Sequence, residues 1–412
     1  LETDMPALNE LTLPEIDIFD PGFSRDPHAV YRRARETGAW VAKYQFGYLL
    51  LDYDSVRYFL RADEVCRTPN RDITQIWSAQ GTSFARFNDH HLMALSGAPH
   101  DRLRSLVAPA FTPRAANAHR TLMRSMIHNV VAAVIDKGEC DFVQLATGYP
   151  ITVMCKLIGI PAQDVERFQG WIDGLDAAFG QDASVLPRLD DIIGKMFDYV
   201  DGVFVERRAA AEKPDDLLQT LLDLAADGEG LNDEELRCLL ILLLGAGFDT
   251  TRNQMVLIMY LMTQQPEYWR RLAQDPTFVK PLIEESIRFY NPIGTTHRVT
   301  NVDIEYRGVT VPANSFISIP QAAPGRDPAV NPDPERFDPD RKNPVHLAFG
   351  QGAHMCLGMF LARALLEEAL PVLARALLEP KLAGEPSFRS PMAVWGLNSL
   401  PISFTPGVLD AA

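Results

Sequence analysis

The sequence predicts a mainly α-helical protein with small β-sheets. Three observations carry that expectation. Between about residues 100 and 290, apolar positions recur at helical spacing in one segment after another. One uninterrupted helical pattern ends at Gln265, where Pro266 stops it, and has its own cap at Asn232. Clear period-two alternation, the mark of half-buried strands, is confined to short stretches near residues 41–51 and 299–319.

The elements follow in order. The stretch WVAKYQFGYLLLDYDSVRYFLR alternates at Val41, Tyr44 and Tyr48–Leu51, which predicts a hairpin and then a helix from Tyr53. The helical region is expected to break at Pro113, Pro150, Pro161, Pro187 and Pro214. In the long helix, Asn232 and Glu235 form a capping box, and Asp233 and Glu234 suit the positive end of the helix dipole. Its roughly 33 residues would span about 50 Å. Apolar residues lie nearly all round it, so it should be a buried central helix. VTNVDIEYRGVTVPANSFISI, residues 299–319, reads as strands around a turn at Arg307-Gly308. A proline-rich loop, residues 324–344, follows. A last long helix should start near Cys356, and a short strand pair near Ser399–Phe404 should close the chain.

Composition limits the function. The chain has 412 residues, 47% hydrophobic and 23% charged, which gives ample material for a core. A net charge of −15 argues against nucleic acid, which needs a concentrated basic face. The five cysteines are scattered and form no CxxC pair, so neither a disulfide framework nor a zinc site is expected. The opening LETDMPALNELTLPEID is acidic, unlike a signal peptide, and the longest apolar run, Leu239–Phe248, is too short to cross a bilayer. These features predict a cytoplasmic protein without a membrane anchor. No linker, repeat or low-complexity tract marks a domain boundary.

Two stretches carry chemistry. GAGFDTT, residues 245–251, places a glycine, a carboxylate and two threonines inside a helix that should be buried. Gly247 costs about 1 kcal/mol relative to alanine there, and Asp249 needs a partner. The segment is either a kink with a satisfied polar cluster or a local opening that binds something small and polar. In the second case a threonine hydroxyl would hold the guest and a nearby carboxylate would relay protons. FGQGAHMCLG, residues 349–358, sets Cys356 among three glycines. A lone cysteine is usually a small buried hydrophobe. A nucleophile elbow would need glycine where His354 stands. Thiolate ligation of a metal fits better: the glycines allow close approach to a flat ligand, and the amides of Leu357 and Gly358 suit a thiolate. One thiolate is too few for zinc or an iron–sulfur cluster but suffices for haem.

These residues resemble the cytochromes P450. FGQGAHMCLG fills every fixed position of that family's haem-binding loop, Phe-Gly-x-Gly-x-x-x-Cys-x-Gly, with Phe349, Gly350, Gly352, Cys356 and Gly358. GAGFDTT resembles its oxygen-activation motif through Ala246, Gly247, Asp249, Thr250 and Thr251. EESIR supplies the Glu-x-x-Arg pair as Glu285 and Arg288, and PERF supplies Arg336 as the third member of its ion-pair cluster. GRDP has Gly325 where the family has asparagine, a departure expected to change only a local turn.

The resemblance covers nearly the whole chain. It implies a single P450 domain over residues 1–412, with haem b between the long central helix and the Cys-loop helix, and Cys356 as the iron ligand. It also implies that His100, Arg104, Arg298 and His354 face the haem propionates, while His90, His91 and His297 read as loop or surface residues. Asp249 and Thr250 would be the catalytic pair. Substrate would meet Ile76, Trp77, Phe84 and Phe87; Phe179; Leu243 and Ala246; Ile293, Gly294 and Thr295; and Trp395 and Leu397. That apolar lining predicts a hydrophobic small molecule, and Arg71 or Arg86 would suit a carboxylate on it. The implied activity is monooxygenation of a C–H bond with O2. Electrons would come from a separate ferredoxin and its reductase, docking near Arg102, Arg114 and Arg363 on a monomeric protein. The alternatives are a peroxide-driven P450 and a non-catalytic haem sensor or carrier.

Overall fold

The computed structural model describes residues 5–175, 182–226, 231–392 and 394–409. They fall into two compact units. The first comprises the chain up to Asn70, Glu284–Cys356 and Phe388–Trp395; the second comprises Arg71–Ile283, Leu357–Ser387 and the chain from Gly396.

The first unit is built on a five-stranded sheet. Its strand order is Val41–Tyr44, Gly47–Leu50, Phe316–Ile319, Thr296–Thr300 and Cys66–Arg67. The predicted hairpin is its edge, with Val41 opposite Leu50 and Tyr44 opposite Gly47. Asp52 caps the next helix, Tyr53–Leu60, by accepting from the Ser55 amide at 2.8 Å. The predicted turn at Arg307-Gly308 joins Ile304–Tyr306 to Val309–Val311, and both turn residues have left-handed φ (51° and 74°). Leu50, Val56, Phe59, Val311, Ile317 and Ile319 pack into one apolar core.

The second unit centres on the helix Asp233–Gln264. Its capping box forms as expected: the Asn232 side chain accepts from the Glu235 amide at 2.8 Å, and the Glu235 carboxylate accepts from the Asn232 amide at 3.1 Å. The helix packs on Phe142–Ile158 and is buried on nearly every face. Pro150 does not break the chain there. It lies inside Phe142–Ile158, whose burial outweighs the single helical hydrogen bond a proline removes. Pro113 and Pro187 open helices, and Pro161 and Pro214 fall between them. The last helix, Met359–Ala376, begins three residues after Cys356, so Leu357 and Gly358 form the turn leading into it. A three-stranded sheet, Glu139–Asp141, Pro401–Pro406 and Leu377–Leu382, completes the unit. Among the described residues no helix is long and apolar enough to cross a membrane.

Candidate active site

In the first unit, residues 349–356 fold into a tight loop through their own backbone. The Cys356 amide donates to the Phe349 carbonyl at 2.8 Å, Met355 to Gly352 at 3.2 Å, and Gly350 to Leu347 at 2.9 Å. Gly352 is required twice over. Its φ is +74°, and a Cβ there would lie 2.8 Å from the Leu60 carbonyl. The Cys356 thiol is thereby held exposed, whereas Cys66, Cys155 and Cys238 are buried and Cys140 half-buried. Burial pushes those four thiols up to between about 11 and about 12.

Asp63, which no motif marks, organises the loop's flank. Its carboxylate accepts from the Ala353 amide at 3.2 Å and from Arg298 Nη2 at 3.4 Å, and lies 3.9 Å from His354 Nε2. Arg298 is 5% exposed, and its Nε–H finds no acceptor among the described residues. Burial lowers its pKa from the ordinary arginine value, and Asp63 partly restores it. An exposed thiol on a loop whose Asp63 anchor also holds a buried, incompletely bonded guanidinium fits a metal-bearing ligand with carboxylate arms. His297 is not a loop residue. It sits mid-strand with Nδ1 3.0 Å from Ser318 Oγ, and burial pushes its pKa down to about 4.

Also in the first unit, Glu285 and Arg288 form a fully buried pair, joined through Nε and Nη2 at 2.7 Å each. All five guanidinium N–H groups of Arg288 are used, the others by the carbonyls of Gly325 (2.6 Å), Pro334 (2.8 Å) and Arg336 (2.9 Å). Arg336 therefore contributes its carbonyl, not its charge. Its own side chain is 65% exposed and lies 3.6 Å from Asp338. The third charged member is Arg341, with Nε 3.4 Å from Glu285. Arg336 is too far into solvent for the role the motif gave it. Gly325 also does more than shape a turn, because a Cβ there would lie 2.1 Å from the Arg288 carbonyl.

In the second unit the helix Asp233–Gln264 runs without interruption through GAGFDTT. Gly247 admits Met154, whose Cε would lie 2.5 Å from an added Cβ. Asp249 is buried and clasped by Arg252, with Asn253 Nδ2 donating to it at 3.0 Å. Residues three and four further along one helix face supply both partners. Thr250 Oγ1 donates to the Ala246 carbonyl at 3.1 Å. Ala246 is exposed and Thr250 half-buried, midway along a helix most of whose residues are buried. The predicted segment thus presents an accessible face. His100 is buried, with Nδ1 3.0 Å from Asp101 Oδ1; Arg104, one turn on, is half-buried.

The predicted substrate residues divide. Trp77 stacks on the buried Phe84 at 5.5 Å, and Phe87 is half-buried against His91 at 4.7 Å. His91 is no surface residue: burial pushes its pKa down to about 4. Ile76 is 77% exposed, Leu243 is buried and Ile293 half-buried. Gly294 and Thr295 are held by Pro391, whose carbonyl accepts from Thr295 Oγ1 at 3.0 Å. Trp395 is core, not lining: it is 1% exposed, packs against His28 and Tyr290, and donates from Nε1 to the Ser24 carbonyl at 2.9 Å. Leu397 is equally enclosed. Phe179 lies outside the described residues. Arg86 is already engaged by Glu234, and Arg71 is exposed.

The family model described as "Cytochrome P450" matches residues 50–377. Luteothin monooxygenase of Streptomyces thioluteus is 33% identical over 398 residues, 95% of this chain and 96% of that protein. Mycinamicin IV hydroxylase/epoxidase of Micromonospora griseorubida is 35% identical over 291 residues, 69% of this chain and 72% of its own. The crystal structure of CalO2 superposes with a TM-score of 0.87 at 26% identity, covering 96% of this chain and 100% of that one. The chain is therefore a member of the cytochrome P450 family, a haem b monooxygenase that uses O2 on a small-molecule substrate.

Proposed function

We propose that this enzyme hydroxylates or epoxidises a hydrophobic small molecule, with Cys356 ligating the haem iron and electrons arriving from a ferredoxin and its reductase. The observation that carries the reading is the exposed thiol of Cys356, fixed by the backbone bonds of its loop. Arg298, His354, His100 and Arg104 are the proposed propionate partners. Phe349, Gly350, Gly358 and Ala246 lie against the ring in this reading. Relatives whose names describe a luteothin monooxygenase and a mycinamicin IV hydroxylase/epoxidase favour hydroxylation or epoxidation.

Bound haem supplies the redox chemistry that cleaves dioxygen and oxidises a C–H or C=C bond. The protein's part is to manage protons and position. Thr250 offers a hydroxyl that now bonds Ala246 and can turn toward a guest on the exposed face of the helix. Asp249 cannot relay a proton while clasped by Arg252, so we assign it two states, clasped and released. The aromatic residues Trp77, Phe84 and Phe87 would hold the apolar body of the substrate.

For the redox partner, Arg114 is exposed, whereas Arg102 is paired with Glu235 and is a poorer docking residue. A monomer is expected, checked by sedimentation. The deciding experiment is spectroscopic. Reduced protein plus carbon monoxide should give the red-displaced thiolate absorption band, and Cys356→His should keep haem but lose that band. A wild-type spectrum without the band removes the assignment.

A further inference from the structure

The first turn of the central helix carries three successive carboxylates, each taken by an arginine from a different helix. Asp233 accepts from Arg208 of Leu186–Ala209 at 2.6 Å. Glu234 is gripped by Nε and Nη2 of Arg86, from Ser83–Asn88. Glu235 pairs with Arg102 of Gly97–Val107. Consecutive helical residues point about 100° apart, so these carboxylates fan out and reach three neighbours.

The grip on Ser83–Asn88 matters most. Six residues are too few to hold a helix unaided, and the aromatic residues Phe84 and Phe87 both ride on it. Besides the Asn88 Nδ2 bond to Thr74 Oγ1 at 3.1 Å and the Trp77–Phe84 stack, it is anchored to two long helices. Arg86 bonds Glu234 and lies 4.1 Å over the Phe197 ring; the Phe84 amide donates to Asp190 at 3.1 Å; and the Cys238 thiol, one turn past Glu234, sits 3.9 Å from the Arg86 carbonyl. Of these, only the Arg86–Glu234 contact is a two-point ionic one. The Arg86 hydrogen bonds hold the Glu234 carboxyl below its usual range.

We propose that Glu234 is a positioning residue for substrate: by clasping Arg86 it fixes the helix Ser83–Asn88, and with it the aromatic surface that meets an apolar substrate. This rests on the assignment of Phe84 and Phe87 to the substrate pocket. Arg86 and Glu234 are 42% and 34% exposed, so the clasp should weaken as salt screens it. Arg237 lies 3.7 Å from Glu234, so losing Arg86 leaves the carboxylate with a partner and the fold intact.

Two azole ligands separate the contributions. Imidazole reaches only the iron, whereas clotrimazole also presses on the pocket wall. Glu234→Gln and Arg86→Gln should each raise the clotrimazole Kd about two- to five-fold and leave that of imidazole unchanged. The double variant should be no worse than either single. Raising KCl from about 50 mM to about 1 M should weaken clotrimazole relative to imidazole in the wild type but not in the double variant. Single effects that multiply in the double variant, or wild-type binding that ignores salt, overturn the proposal. Phe87→Ala tests the pocket assignment separately. If it leaves clotrimazole binding unchanged, the pocket reading fails; if it weakens binding while Glu234→Gln does not, only the positioning role fails.

Discussion

Thr250 and Gly352 show what single residues do here. The Thr250 hydroxyl spends its hydrogen on the Ala246 carbonyl, a bond that any guest on that helix face must compete with. Thr250→Ala should leave haem content unchanged and divert most of the electron flow to hydrogen peroxide. Thr250→Ser should stay near wild type. Peroxide formed per NADPH consumed measures both. Gly352→Ala combines a left-handed φ with a Cβ 2.8 Å from the Leu60 carbonyl. It should cost about 1–2 kcal/mol or more and reduce the fraction of protein giving the thiolate band, read together with the melting temperature. Both positions were legible in the sequence, because each belongs to a motif with fixed local spacing. Asp63 was not. It meets Arg298 and Ala353 from far along the chain, and nothing in RADEV distinguishes it from an ordinary surface aspartate.

Elements whose cause is local were readable. The central helix has its cap, its acidic first turn and its proline stop within a few residues of each end, and the hairpin turns have their glycines. Pro150 was misleading because a proline's local cost is visible in the sequence and the burial that outweighs it is not. The ion-pair cluster failed in the same way. Which arginine of PERFDPDR turns inward depends on the path of a loop without periodic pattern, and the loop brings Arg341 to Glu285 while Arg336 faces solvent. Arg341→Ala should therefore cost about 1–2 kcal/mol, whereas Arg336→Ala should change stability by less than about 0.5 kcal/mol. Chemical denaturation of the two variants side by side checks the order; equal losses would restore Arg336 to the cluster.

At the scale of the molecule, two buried imidazoles, His28 and His91, and the half-buried His297 set the acid limit. Burial holds His91 and His297 at about 4, against 6.5 for a free imidazole, and His28, enclosed near Arg326, Arg35 and Arg288, well below 6.5. Each is neutral when folded and takes up a proton when unfolded, so the unfolded chain gains ground as pH falls from 6.5 towards 4. The melting temperature should drop steadily across that window, and His91→Gln with His297→Gln should flatten the slope. A flat wild-type profile would contradict the burial of these rings. The cysteines divide just as sharply. Three are buried and Cys140 half-buried, each with thiolate suppressed by burial, and Cys356 alone is exposed. Brief alkylation at neutral pH should therefore label one sulfur per cofactor-free molecule and none where iron already occupies it, so that intact-mass counting of adducts reads directly how much of any preparation was never loaded.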